Sequence, residues 1–136
     1  PDGQRIVFAG QVSGDFEISV MDADGGNVQQ LTASPGHDWG PVWSPDGRRI
    51  AFASDRSGNF DVYVMDADGG NVEQLTDDPM EDFEPVWSPD GKRLAFGSRR
   101  LDGQMAIYLM ATDGSGVEPT GVPGIPSDWF STPSGS

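Results

Sequence analysis

Large and small apolar residues alternate from Ile50 to Ser54, with Ile50 and Phe52 set against Ala51 and Ala53. A period of two puts alternate side chains on opposite faces of an extended strand. A second apolar run, Phe60 to Met65, follows the Arg56-Ser57-Gly58-Asn59 turn, and Val72 to Thr76 follows Asp66-Ala67-Asp68-Gly69-Gly70. Glycine, asparagine and aspartate tolerate the positive φ that tight turns need. Upstream, Pro41-Val42-Trp43-Ser44 reads as a short strand ended by Pro45-Asp46-Gly47. These four strands, A to D, predict an antiparallel meander. No apolar stripe at helical spacing competes with it, and turn signals recur about every eight to twelve residues.

The Pro-Asp-Gly turn recurs at Pro1, Pro45 and Pro89, two intervals of 44 residues, and residues 1–44 match residues 45–88 at 28 ungapped positions. Four strands in roughly 40–45 residues is the size of a β-propeller blade. Large-small alternation suits blades packed face to face. The repeat units are 1–44, 45–88 and 89–126, the third with one residue inserted in its B–C turn. Residues 127–136 carry strand A of a following blade, read at 127–133, because Asp128 to Ser134 is a blurred copy of Asp82 to Ser88. The expected fold is all-β: a propeller of four-stranded antiparallel blades, three per chain, half of a six-bladed ring. Closed propellers typically have about four to eight blades. With strand B first at Arg5 to Ala9 and a spare strand A last, a homodimer exchanging that strand would complete the ring.

Composition supports packed strands: 35% of residues are hydrophobic and 10% aromatic, with 19 glycines and 11 prolines. The formal charge of −14, with 22 acidic and 8 basic residues, repels phosphate backbones and anionic headgroups, so nucleic acid is excluded as a partner. No run approaches the roughly 20 apolar residues of a membrane span, so no membrane insertion is expected. The absence of cysteine excludes disulfides and thiolate sites. Opening on Pro1 without a starting methionine, the chain reads as a processed, excised or engineered piece.

Pro-Val-Trp-Ser-Pro-Asp-Gly at 41–47 and 85–91, Ser-Asp-Arg-Ser-Gly-Asn at 54–59 and Val-Met-Asp-Ala-Asp-Gly at 64–69 resemble the repeats of TolB-like, WD-repeat-related β-propellers. The resemblance covers nearly the whole chain. It implies a periplasmic or extracellular scaffold that binds a protein or peptide. Similar repeats occur in propellers that gate serine peptidases and in a few polysaccharide lyases, so a regulatory piece of a larger hydrolase is one alternative. A self-assembling structural or engineered propeller fragment is another. The sequence has no Gly-x-Ser-x-Gly elbow, phosphate loop or histidine cluster, and no enzymatic activity is expected.

Asp38, Asp82 and Asp128 stand at equivalent places just before strand A, which the resemblance puts nearest the central channel. In a closed ring they would gather at one channel mouth and attract cations or a basic peptide terminus. The competing reading is that each caps its own D–A loop. His37, beside Asp38, reads as a solvated loop histidine. Trp39, Phe83 and Trp129 are candidate exposed anchors, whereas Trp43, Trp87, Phe52, Phe96 and Tyr63 follow the strand register and belong to the core. Asp55-Arg56 aligns with Gln11-Val12 and Arg99-Arg100, so that pair is not a repeated element. Asp22 and Asp24, like Asp66 and Asp68, imitate the start of a calcium loop. They lack the length of about twelve residues and the closing glutamate, so hairpin capping is the main reading and calcium the secondary one. No other cofactor is expected.

Overall fold

The computed structural model describes residues 1–129, and every regular element among them is a strand. Three antiparallel sheets follow one another along the chain. The first holds β1 (Arg5–Val12), β2 (Asp15–Asp22) and β3 (Gln29–Gln30). The second holds β4 (Asp38–Trp43), β5 (Arg49–Ser54), β6 (Asp61–Asp66) and β7 (Glu73–Gln74). The third holds β8 (Asp82–Trp87), β9 (Arg93–Ser98), β10 (Ala106–Ala111) and β11 (Glu118–Pro123). The chain is a partial propeller: one blade of strands B, C and D, then two blades with all four. No helix among the described residues is long and apolar enough to cross a membrane.

Strand boundaries differ from the sequence pattern in two places. Strand A starts at Asp38 and Asp82 rather than at the prolines, because Gly40 and Glu84 take positive φ and form a bulge that carries pairing on to Val42 and Val86. Strand D shrinks to two residues in the first two blades. There Thr32 and Thr76 receive the amides of Ile18 and Val62 on their hydroxyls, at 2.9 Å each, while the amides of Leu31 and Leu75 donate back to the Ile18 and Val62 carbonyls at 2.8 Å.

The Pro-Asp-Gly turn is held by its own serine and aspartate. Ser44 Oγ donates to Asp46 Oδ1 (2.6 Å), and the amides of Arg48 and Arg49 donate to Asp46 and Ser44. Ser88 and Asp90 repeat the arrangement. Within this turn residue 47 must take φ of 70°, which only glycine adopts cheaply.

Strand alternation sends one face of each blade forward and one back. Ile18 and Val20 of the first blade pack on Ile50 and Phe52 of the second. Val62 and Val64 of the second pack on Leu94 and Phe96 of the third. Bulky residues of one blade thus sit on the β-branched and small residues of the one before it. A ladder of arginine over tryptophan crosses the same two seams, Arg5 over Trp43 at 5.1 Å and Arg49 over Trp87 at 5.0 Å, and continues beyond the third blade with Arg93 over Trp129 at 5.3 Å.

The repeat predicts a further strand A at 127–133, with Asp128 matching Asp38 and Asp82. Residues 130–136 lie outside the described residues. Within the described part the register differs by four residues: the Gly124 amide donates to the Met105 carbonyl at 2.9 Å, as the Asp82 amide donates to Phe60 at 2.7 Å. Gly124 therefore stands where Asp82 stands, and Trp129 takes the place of Trp43 and Trp87. The inserted residue and the altered third D strand hide this shift in a simple alignment.

Candidate functional site

Strand A begins against the B–C hairpins, and this end of the blades gathers five of the seven channel-mouth candidates: His37, Asp38, Trp39, Asp82 and Phe83. Asp38 and Asp82 do not line a channel mouth. Both are fully buried, and each accepts a hydrogen bond from an arginine of its own blade: Arg56 to Asp38 at 2.8 Å and Arg100 to Asp82 at 2.6 Å. Each guanidinium lies against two stacked rings, Arg56 on Phe52 and Tyr63 and Arg100 on Phe96 and Tyr108. Its Nε donates to a strand B serine, Ser54 or Ser98. Asp55-Arg56 is not a repeated pair, but Arg56 and Arg100 repeat at the same position with a different partner.

Across each seam a second acid faces this ion pair. Glu17 of the first blade receives the Thr32 hydroxyl at 2.6 Å and neighbours Asp38. Burial pushes the Glu17 carboxyl above its usual range, and the charge of Asp38 adds to the effect while Thr32 opposes it. Asp61 takes the equivalent place before Asp82. Burial likewise raises Asp82, against the lowering influence of Ser98, Thr76 and Arg100. The remaining oxygens, Asp38 Oδ1 and Asp82 Oδ1, are buried without a hydrogen-bond partner. Asp128 is exposed and belongs to no such group.

His37 is tied into the fold rather than solvated. Its Nδ1 accepts the Phe16 amide at 3.1 Å, and its own amide donates to Asp55 Oδ1 at 2.6 Å. It thereby links the first blade to the B–C turn of the second.

The aromatic candidates separate into two groups. Trp39 and Phe83 come together in one cleft of about 310 Å³, with Gly40, Ala53, Phe60 and Glu84 completing its wall. Trp39, 42% exposed, is propped by Phe16 in a stacked pair at 4.0 Å, and Phe60 meets Phe83 at 5.7 Å. The bulges at Gly40 and Glu84 open the cleft between successive strands A, and the Glu84 carboxylate lies over Gly40. An aromatic wall beside a carboxylate is suited to a cationic or amphipathic side chain. Trp129 lies elsewhere, under Arg93.

Phe60 and Glu84 went unmarked in the sequence, although a signal for the region exists there. All but three of the positions at which residues 1–44 differ from residues 45–88 fall in 10–19 and 33–40. Those segments form the end of the blades that bears the cleft, while the opposite end keeps its Pro-Asp-Gly and Asp-Ala-Asp-Gly turns almost unchanged.

The Asp-rich turns are closed on themselves. Asp22 and Asp66 accept the side-chain amides of Asn27 and Asn71 at 2.6 and 2.7 Å, and Asp24 and Asp68 accept the amides of Gly26 and Gly70 at 2.8 Å each. Among the described residues no three His, Cys, Asp or Glu side chains converge as metal ligands. The carboxylates that suggest calcium in the sequence are here turned onto turn amides.

The sequence pattern of the TolB beta propeller domain matches residues 1–76 and 57–134. No curated protein sequence matches the chain. Among solved structures, a protein assigned as TolB in Agrobacterium tumefaciens is 36% identical with a TM-score of 0.81, the match covering 88% of this chain and 46% of that one. TolB from Acinetobacter baumannii is 27% identical with a TM-score of 0.79, covering 90% of this chain and 31% of that one. Puromycin hydrolase, 18% identical with a TM-score of 0.70 over 88% of this chain and 20% of its own, shares the fold alone. The chain thus spans less than half the length of either TolB structure. Its 44-residue blades, its Pro-Asp-Gly turns and the match along nearly all of its length place it in the TolB β-propeller domain family.

Proposed function

We propose that the chain is a non-catalytic binding module, and that it holds an extended basic segment of a protein partner in the cleft of Trp39, Phe60, Phe83 and Glu84. The observation that carries this reading is the cleft itself: an exposed tryptophan braced by Phe16, two further rings and a carboxylate, at the end where the repeats diverge. A net charge of −14 favours approach of a basic partner. The aromatic side chains supply buried area at small entropic cost. Kinship with TolB supports an extracytoplasmic address for this binding.

Titration of extended peptides rich in arginine and lysine, followed by tryptophan fluorescence and calorimetry, tests the reading. Binding is expected to weaken with salt. Trp39→Ala should lower affinity about tenfold or more, as loss of a central aromatic anchor does. Glu84→Gln should reduce it less and flatten the salt dependence. Equal binding of acidic and basic peptides, or indifference to Trp39→Ala, would overturn the reading.

A further inference from the structure

The chain holds its own guanidinium groups in one recurring way. Arg100 lies over Phe96 at 5.3 Å and over Tyr108 at 5.2 Å while donating to Asp82 at 2.6 Å. Arg56 lies over Phe52 at 5.4 Å and over Tyr63 at 4.9 Å while donating to Asp38 at 2.8 Å. In both cases the group rests against two rings and gives its N–H to a carboxylate.

The cleft between β4 and β8 offers the same parts to a side chain from outside. Its rings are Trp39, Phe60 and Phe83, its small residues Gly40 and Ala53, and its carboxylate Glu84. At about 310 Å³ it stands at the low end of the roughly 300–1,000 Å³ of small-ligand sites, with room for one long side chain and not for a helix or a hairpin. Among the described residues arginine pairs with Asp38, Asp78 and Asp82, and Glu84 has no cationic partner.

The backbone places that carboxylate at a cost. Glu84 takes φ of 51°, where its counterpart Gly40 takes 60°. Glycine occupies this region without strain and glutamate does not. The third blade thus carries a strained residue where the second carries an unstrained one. Gly40 in turn leaves the space that Glu84 uses, since a side chain there would begin 3.7 Å from Glu84 Oε2.

We propose that the cleft selects arginine: one guanidinium of the partner segment lies against Trp39 and Phe83 and donates to Glu84, and Glu84 is the residue that sets this preference. The proposal rests on the binding role given to the cleft above and names the side chain it takes. Lysine fits less well, because its ammonium is a compact, strongly hydrated charge with no flat face to lay on a ring. A quaternary ammonium suits an aromatic wall but has no N–H to give Glu84. Citrulline keeps the planar shape without the charge.

Four extended peptides of one frame, with every cationic position filled by arginine, by lysine, by trimethyllysine or by neutral citrulline, separate these occupants. Each is titrated into the 136-residue chain and followed at the Trp39 indole N–H signal, assigned by its loss in Trp39→Phe. The arginine peptide should bind about fivefold or more tightly than the other three. Glu84→Gly should bring its affinity down to that of the lysine peptide while the melting temperature holds or rises, because glycine relieves the backbone. Glu84→Gln, which keeps the side chain's length, should erase the preference in the same way. Equal affinity for arginine and lysine peptides would overturn the proposal and leave a site for basic segments in place. A trimethyllysine peptide that binds as tightly as the arginine one, or an arginine preference that survives both Glu84 variants, would also overturn it. No shift of the Trp39 signal with any cationic peptide would overturn both the proposal and the binding role it rests on.

Discussion

The Arg56 guanidinium donates to the Asp38 carboxylate at 2.8 Å from 18 residues along the chain, and the aspartate it neutralises is fully buried. Arg100 does the same for Asp82. Breaking a buried pair from one side leaves a charge in the interior, so Arg56→Met should cost about 3 kcal/mol or more. An exposed pair would give under about 1 kcal/mol. The double variant Asp38→Leu with Arg56→Met should regain much of the loss. Urea unfolding of the two singles and the double measures the coupling.

Stability should depend on pH in two opposed ways. Glu17 and Asp82 are pushed up, chiefly by burial, so folding favours their protonated forms. Their contribution is complete below the ordinary carboxylate range and is lost as pH rises through their raised values. Asp46 and Asp90 are pulled down, first by the hydroxyls of Ser44 and Ser88, so their contribution is present above the ordinary range and lost as pH falls through their lowered values. Glu17→Gln should therefore raise the melting temperature at neutral pH and confer little advantage at pH about 4, below the ordinary glutamate value. A melting series across pH on wild type and variant checks this, and a constant difference at all pH would contradict it.

Two equivalent glycines should respond differently to alanine. Gly25 and Gly69 both have φ near 90°, but a methyl at Gly69 would lie 2.8 Å from the Leu31 carbonyl oxygen, whereas Gly25 faces open space. Gly25→Ala should cost about 1 kcal/mol of backbone strain. Gly69→Ala adds an overlap between blades worth roughly 1–3 kcal/mol more. Denaturant midpoints of the two variants rank them directly.

Calcium provides a further check on the Asp-rich turns. With Asp22, Asp24, Asp66 and Asp68 turned onto turn amides, millimolar calcium and magnesium should shift the melting temperature equally, by screening. Asp66→Asn should cost a few tenths of a kcal/mol to about 1 kcal/mol, with the same loss in either ion. A calcium-specific rise that Asp66→Asn removes would instead establish a site.

Trp39 and Phe83 were readable as anchors because the Pro-Val-Trp-Ser register assigns Trp43 and Trp87 to the interior and leaves the preceding aromatics unclaimed. Phe60 was not readable as their neighbour, since it joins the cleft only when the second blade's hairpin meets the third blade's strand A. His37 looked like a loose loop residue because its partner, the Phe16 amide, is 21 residues away on another blade.

Local patterning determined the blades. Period-two alternation, turns that demand glycine and aspartate, and a 44-residue repeat specify meanders whose faces fit one another, since those rules act within a few residues of each position. The seams were decided by tertiary structure. Whether an aspartate at the head of strand A faces a channel or an arginine depends on residues 18 positions ahead and on the previous blade. A carboxylate leaves water only where such partners compensate its lost hydration, and the folding of one blade onto the next is what brings them there.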